Sequence, residues 1–140
     1  MARVSIDLPV TFSFRTDILI YINHINYGHH LDNAALLSLV SEARVRFFNA
    51  FGYTELDVEG FGIVVADAAI QYRSEAYHGE TLQFAMQAHD FNKYGFDLVY
   101  QVTDKATGRE IARGKTGVVF FDYQAKKPVM VPEAFLKKVK

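Results

Sequence analysis

Eight residues, Asn26-Tyr27-Gly28-His29-His30-Leu31-Asp32-Asn33, gather most of the chain's capacity for chemistry into one polar knot. Asp32 or Asn33, both good N-cap residues, opens the apolar helical pattern that follows. Unpaired backbone N–H groups and the positive end of the helix dipole therefore converge on this segment and can hold an oxyanion. A fixed donor facing a developing negative charge contributes roughly 3–4 kcal/mol to a transition state. His30 is of the side-chain type best suited to proton transfer at neutral pH. Asp32 is a candidate base as well as a cap. Asn26 can orient a carbonyl or a water through its amide but cannot take a proton, and beside Gly28 it is also a good turn residue.

Two carboxylates outside the knot compete for the role of base. Asp67 stands in the apolar run Ile63-Val64-Val65-Ala66-Asp67-Ala68-Ala69-Ile70, where an ionised side chain needs either a basic partner or a site. Glu42 lies roughly 13 Å down the helix from Asn33 at 1.5 Å per residue. Its spacing predicts an i,i+4 pair with Arg46. His24, His29 and His30 with Asp32 match no established zinc spacing such as His-Glu-x-x-His, and no metal is expected. Gly114-Lys115-Thr116 lacks the earlier glycine of a phosphate loop, and neither a nucleophile elbow nor a dinucleotide fingerprint occurs. No cofactor is expected.

The elements that position these residues follow from periodicity. Even positions from Phe12 to Ile22 are Phe, Phe, Thr, Ile, Ile and Ile, which predicts a long half-buried strand. Leu36, Leu37, Leu39, Val40, Ala43, Val45, Phe47, Phe48 and Phe51 cover so much of a helical circumference that the helix should be nearly swallowed by its surroundings, with Gly52 stopping it. Four strand-like runs follow, Ile63 to Tyr72, Thr81 to His89, Phe96 to Thr103 and Glu110 to Asp122, and a short helix after Pro132. His78-Gly79-Glu80, Asn92 to Gly95 and Lys105 to Gly108 separate the runs at hairpin-like spacing, with glycine where positive φ is needed. One antiparallel sheet wrapped around one apolar helix, an α+β domain over 1–140, satisfies this order. Leu19, Tyr21, Val99, Val119 and Phe121 on its exposed face predict a homodimer or homotetramer.

Composition narrows the function. The 140 residues carry a net charge of −1, which offers no basic field for nucleic acid. There is no cysteine, so disulfides, thiolate metal sites and a cysteine nucleophile are excluded. No signal-peptide pattern or membrane-length apolar run occurs, so a cytoplasmic protein away from membranes is expected.

The pattern resembles the hot-dog fold, specifically thioesterases of the 4-hydroxybenzoyl-CoA thioesterase type. That family commonly reads Asp-x-x-Gly-His-Val-Asn-Asn before its central helix, where this chain has Asn26 to Asn33. Glu42-Ala43-Arg44 resembles its acidic-Ala-Arg helix segment, and Tyr72 to Glu80 its strand exit ending in Gly-Asp. The resemblance implies hydrolysis of an acyl-CoA thioester with water, the carbonyl oxygen taken by the backbone N–H near Asn33. Two positions depart from the pattern: Asn26 replaces the usual catalytic Asp, and His29 the usual glycine. The base then falls to Asp32, or to Asp67 from the same or a neighbouring chain, with Asn26 and His30 positioning the ligand. Arg73, Arg113, Lys115, Lys126 and Lys127 are candidates for the coenzyme A phosphates. The missing acid leaves open a non-catalytic acyl-CoA binding module, and the pair His30 and Glu42 a hydratase or dehydratase.

Overall fold

The computed structural model describes residues 3–140. Strand β1 (Phe14–Leu19) leads through a short 3-10 turn (Ile22–His24) into α1 (Asn33–Ala50). Strands β2 (Gly62–Tyr72), β3 (Thr81–His89), β4 (Gly95–Asp104), β5 (Glu110–Asp122) and β6 (Lys127–Pro128) follow, and α2 (Glu133–Val139) ends the chain. The strands form one antiparallel sheet in the order β1-β3-β4-β5-β2, with β6 added to β5.

The long alternation at the start ends sooner than its pattern. Ile20 is buried, but Ile22 is 68% exposed in the 3-10 turn. Here Tyr21 N–H donates to Nδ1 of His24 at 3.0 Å, so a local side-chain acceptor breaks the ladder. Helix α1 buries Leu36, Leu39, Val40, Ala43, Phe47 and Phe48 against the sheet. Leu37 and Val45 remain 41% and 40% exposed, so the sheet covers one face of the helix and does not swallow it. Phe48 and Phe96 rings lie 6.4 Å apart, which assigns the even positions of β4 to the helix side. Phe135 of α2 closes the open end of this layer with its ring 5.1 Å from Phe120 and 5.3 Å from Phe96. Core aromatics of this kind each contribute about 1.5–3 kcal/mol of burial free energy.

Of the three separators that read as hairpins, two are hairpins and one is not. β3 pairs β4 and β4 pairs β5, but β2 pairs β5 whereas β3 lies between β1 and β4. The link 73–80 is therefore a crossover from one edge of the sheet towards the other, and it passes the start of α1. Gly79 and Gly108 have φ of +85° and +78°. Gly95 serves a different purpose: a Cβ there would sit 1.8 Å from the carbonyl oxygen of Val118. On the outer face Leu19 and Tyr21 are exposed as expected, but Val99 is 4% exposed. Its β3 neighbour Gln87 accepts the N–H of Ser13 at 2.8 Å, and Gln71 on β2 accepts that of Ile6 at 3.4 Å. The segment before β1 thus runs across the outer face and covers part of it.

Candidate active site

Asp32 is the N-cap of α1. Its Oδ2 accepts the N–H groups of Ala34 and Ala35 at 3.0 and 3.1 Å, and its carbonyl takes that of Leu36. The N–H of Asn33 is left over: among the described residues it has no hydrogen-bond partner. Asn33 lines a cleft of about 220 Å³ together with His30, Asp32, Leu36, Tyr72 and the crossover residues Arg73 to Ala76. Tyr72 forms a wall and donates its hydroxyl to the carbonyl of Asn33 at 3.3 Å. Burial, and then the negative charge of Asp32, push the Tyr72 phenol pKa up, so it remains a neutral donor.

Two hydrogen-bond sets build the polar knot. Asn26 closes it on itself: its Oδ1 accepts the N–H of Gly28 at 2.9 Å, its N–H donates to His30, and its carbonyl accepts from His29. The knot is then fixed to its neighbours, Asp32 N–H on the carbonyl of His24 and Leu31 N–H on the carbonyl of Ala76 at 2.7 Å. The second bond brings the crossover against His30. His30 Nδ1 lies 3.3 Å from the carbonyl of Leu31, and its Nε2 lies 3.8 Å from Oε1 of Glu75. Gly28 keeps room for this ring, because a Cβ at Gly28 would stand 3.1 Å from Nε2 of His30 and 3.2 Å from Oδ1 of Asn26. His29, where the resembling family has glycine, sits at φ of 67°. The left-handed backbone explains the preference for glycine there.

Three of the predicted residues, His30, Asp32 and Asn33, therefore meet at the cleft, and Asn26 supports the loop behind them. Asp67 does not join them within the chain. Opposite Gly117 on β2, it lies on the face of the sheet turned away from α1, and Lys115 donates to it at 2.6 Å and to Asp97 at 3.3 Å. The hydrogen bond to Asp67 raises the Lys115 pKa against the opposing effect of burial. Glu42 forms the predicted pair with Arg46 at 2.8 Å and is absent from the cleft lining. Of the five basic candidates for phosphate contacts, only Arg73 lines the cleft, its Nε 3.3 Å from Glu110. Glu75 was not singled out from sequence. Its signal was its place in the segment Tyr72 to Glu80, which reads as a turn until the crossover is known.

A family model described as the thioesterase-like superfamily matches residues 20–139. The chain belongs to that superfamily. No curated protein matches it in sequence. Among solved structures, it is similar to Slr0204, a 1,4-dihydroxy-2-naphthoyl-CoA thioesterase from Synechocystis, with a TM-score of 0.81 and 16% identity over 90% of this chain and 94% of that one. It is also similar to a Thermus thermophilus thioesterase complexed with coenzyme A and Zn, with a TM-score of 0.78 and 20% identity over 92% and 98%. The PA2801 protein of Pseudomonas aeruginosa superposes with a TM-score of 0.84 at 17% identity over 93% and 100%. These likenesses establish the hot-dog fold, an antiparallel sheet around a central helix, and this superfamily member shows it over most of its length.

Proposed function

We propose that the chain is an acyl-CoA thioesterase that cleaves the thioester with water. The observation that carries this reading is the N–H of Asn33, unpartnered among the described residues and next to the Asp32 cap, in a residue that lines a cleft with an imidazole and two carboxylates. The thioester carbonyl oxygen docks on that N–H, which receives the negative charge formed when water attacks the carbon. Asp32 acts here mainly as the cap that aims the N–H. Its Oδ2 is already committed to two backbone donors, so that oxygen is occupied in capping the helix. His30 faces the reacting centre, and Asn26 holds the loop that presents it. Arg73 offers a positive charge at the cleft for a coenzyme A phosphate. Two structural relatives, one a 1,4-dihydroxy-2-naphthoyl-CoA thioesterase and one a thioesterase complexed with coenzyme A, support this substrate class.

The homodimer or homotetramer belongs to the same reading, supported by the eleven-residue outer strand β2, which among the described residues pairs with β5 alone. A second reading, an acyl-CoA binding module that does not turn over, is favoured by the commitment of the Asn26 amide oxygen to the Gly28 N–H. Thiol release from short, long and aromatic acyl-CoA esters decides between them, read with a thiol-reactive dye that a cysteine-free protein does not consume. Release from any ester supports hydrolysis. Saturable binding without release supports the module.

A further inference from the structure

Resting on the hydrolytic reading, we infer that Glu75 is the catalytic base and that His30 holds the attacking water against it. The crossover and the polar knot are pinned to one another by the 2.7 Å hydrogen bond from Leu31 to Ala76, so Glu75 and His30 keep a fixed relation. The Leu31 carbonyl beside Nδ1 selects the tautomer with its proton on that nitrogen. Nε2 then carries a lone pair, 3.8 Å from Oε1 of Glu75. That gap is too long for a direct hydrogen bond, and a single water about 2.8 Å from each atom spans it.

Glu75 is held for this task. The hydroxyl of Tyr77 donates to its other oxygen, Oε2, at 2.9 Å, and Arg109 donates to its backbone carbonyl at 3.1 Å. Oε1 is thereby left facing His30. The Glu75 side chain is 59% exposed, so water reaches it. Unlike Asp32 Oδ2, its Oε1 is not taken up by backbone donors among the described residues, and Glu75 lines the same cleft as Asn33.

In the step, the bridging water gives one proton to Oε1 of Glu75 while its oxygen bonds to the thioester carbon. The carbonyl electron pair moves onto the oxygen held by Asn33. When that pair returns, the C–S bond breaks with its electrons on sulfur, and the proton on Glu75 passes to the thiolate. The products are a carboxylic acid, which ionises in water, and the free thiol, so no oxidant or further reactant is required.

The test uses the full chain and whichever ester of the panel the wild type hydrolyses. Glu75→Gln keeps the shape of the side chain and an acceptor for Tyr77. It should lower kcat by about 100-fold or more while KM changes by less than about threefold. The acidic limb of the wild-type kcat profile should also lose one proton of steepness in the residual activity, leaving the part set by His30, whose Nε2 must be unprotonated to hold the water. Tyr77→Phe should lose less, about 3- to 10-fold, and keep that limb. A Glu75→Gln protein with wild-type circular dichroism and kcat within about twofold of wild type overturns the assignment of the base and leaves hydrolysis standing. Loss of activity with the acidic limb intact also overturns it, because the carboxylate then has only a structural part. A folded wild type that releases no thiol from any ester overturns the hydrolytic reading and this inference with it.

Discussion

At the scale of single residues, the site depends on small contacts that hold atoms in place. Asp32 satisfies two backbone donors, and losing an N-cap of this kind costs about 1 kcal/mol. Asp32→Ala should therefore lower stability by about that amount in a urea titration, while Asp32→Asn keeps most of it. The same pair of variants separates capping from catalysis, since an Asn cap still aims the Asn33 N–H and should retain most of kcat. Gly28 gives a second case. A methyl group there would press on His30 Nε2 at 3.1 Å, so Gly28→Ala should shift the ring and reduce kcat by about 10-fold with little change in unfolding midpoint. Both residues were visible in the sequence as a cap and a turn glycine. The partner of His30 was not, because Glu75 is 45 positions away and only the crossover brings it close.

At the scale of elements, periodicity located β1 and α1, turn residues bounded the later strand-like runs, and Pro132 marked the start of α2. Periodicity failed where two runs of strand-like residues are joined by a short polar link. Local spacing cannot tell a hairpin from a crossover when both need a glycine, as Gly79 shows with its φ of +85°. The difference lies in which strands pair, and that is settled by the core. α1 packs on one face of the sheet with Phe48 against Phe96 of β4, and α2 seals the end through Phe135, a ring of zero exposure surrounded by Phe48, Phe96 and Phe120. Phe135→Ala should cost about 3–5 kcal/mol, and the loss should appear as a lower thermal midpoint. Because the site lies at the other end of α1, from Asn33 rather than Ala50, the surviving folded fraction should keep its KM.

At the scale of the whole molecule, the outer edge of the sheet and its charge clusters set the conditions under which the site exists. Among the described residues, one side of the eleven-residue strand β2 is unpaired, with Val65 47% exposed, and such an edge favours pairing with another strand. Val65→Lys places a charge there and should shift the mass seen by light scattering towards the monomer, without loss of secondary structure. Acid stability rests in part on Glu110. Burial pushes its pKa up, but hydrogen bonds from Gln101 and Arg113 and the charges of Arg113 and Arg73 together hold it below the ordinary 4.5. A depressed carboxylate stabilises the fold at every pH above its unfolded value, and that contribution fades as pH falls through the lower folded value. Glu110→Gln should thus be less stable than the wild type at pH 7, and the gap should narrow as the solution is taken below pH 4.5. Since Arg73 is both a partner of Glu110 and a lining residue of the cleft, the same variant frees that guanidinium from its intramolecular carboxylate. If Arg73 meets a phosphate of coenzyme A, KM for an acyl-CoA should change in Glu110→Gln while KM for a short thioester without the nucleotide stays as in the wild type. Equal changes in both would remove Arg73 from the account of binding.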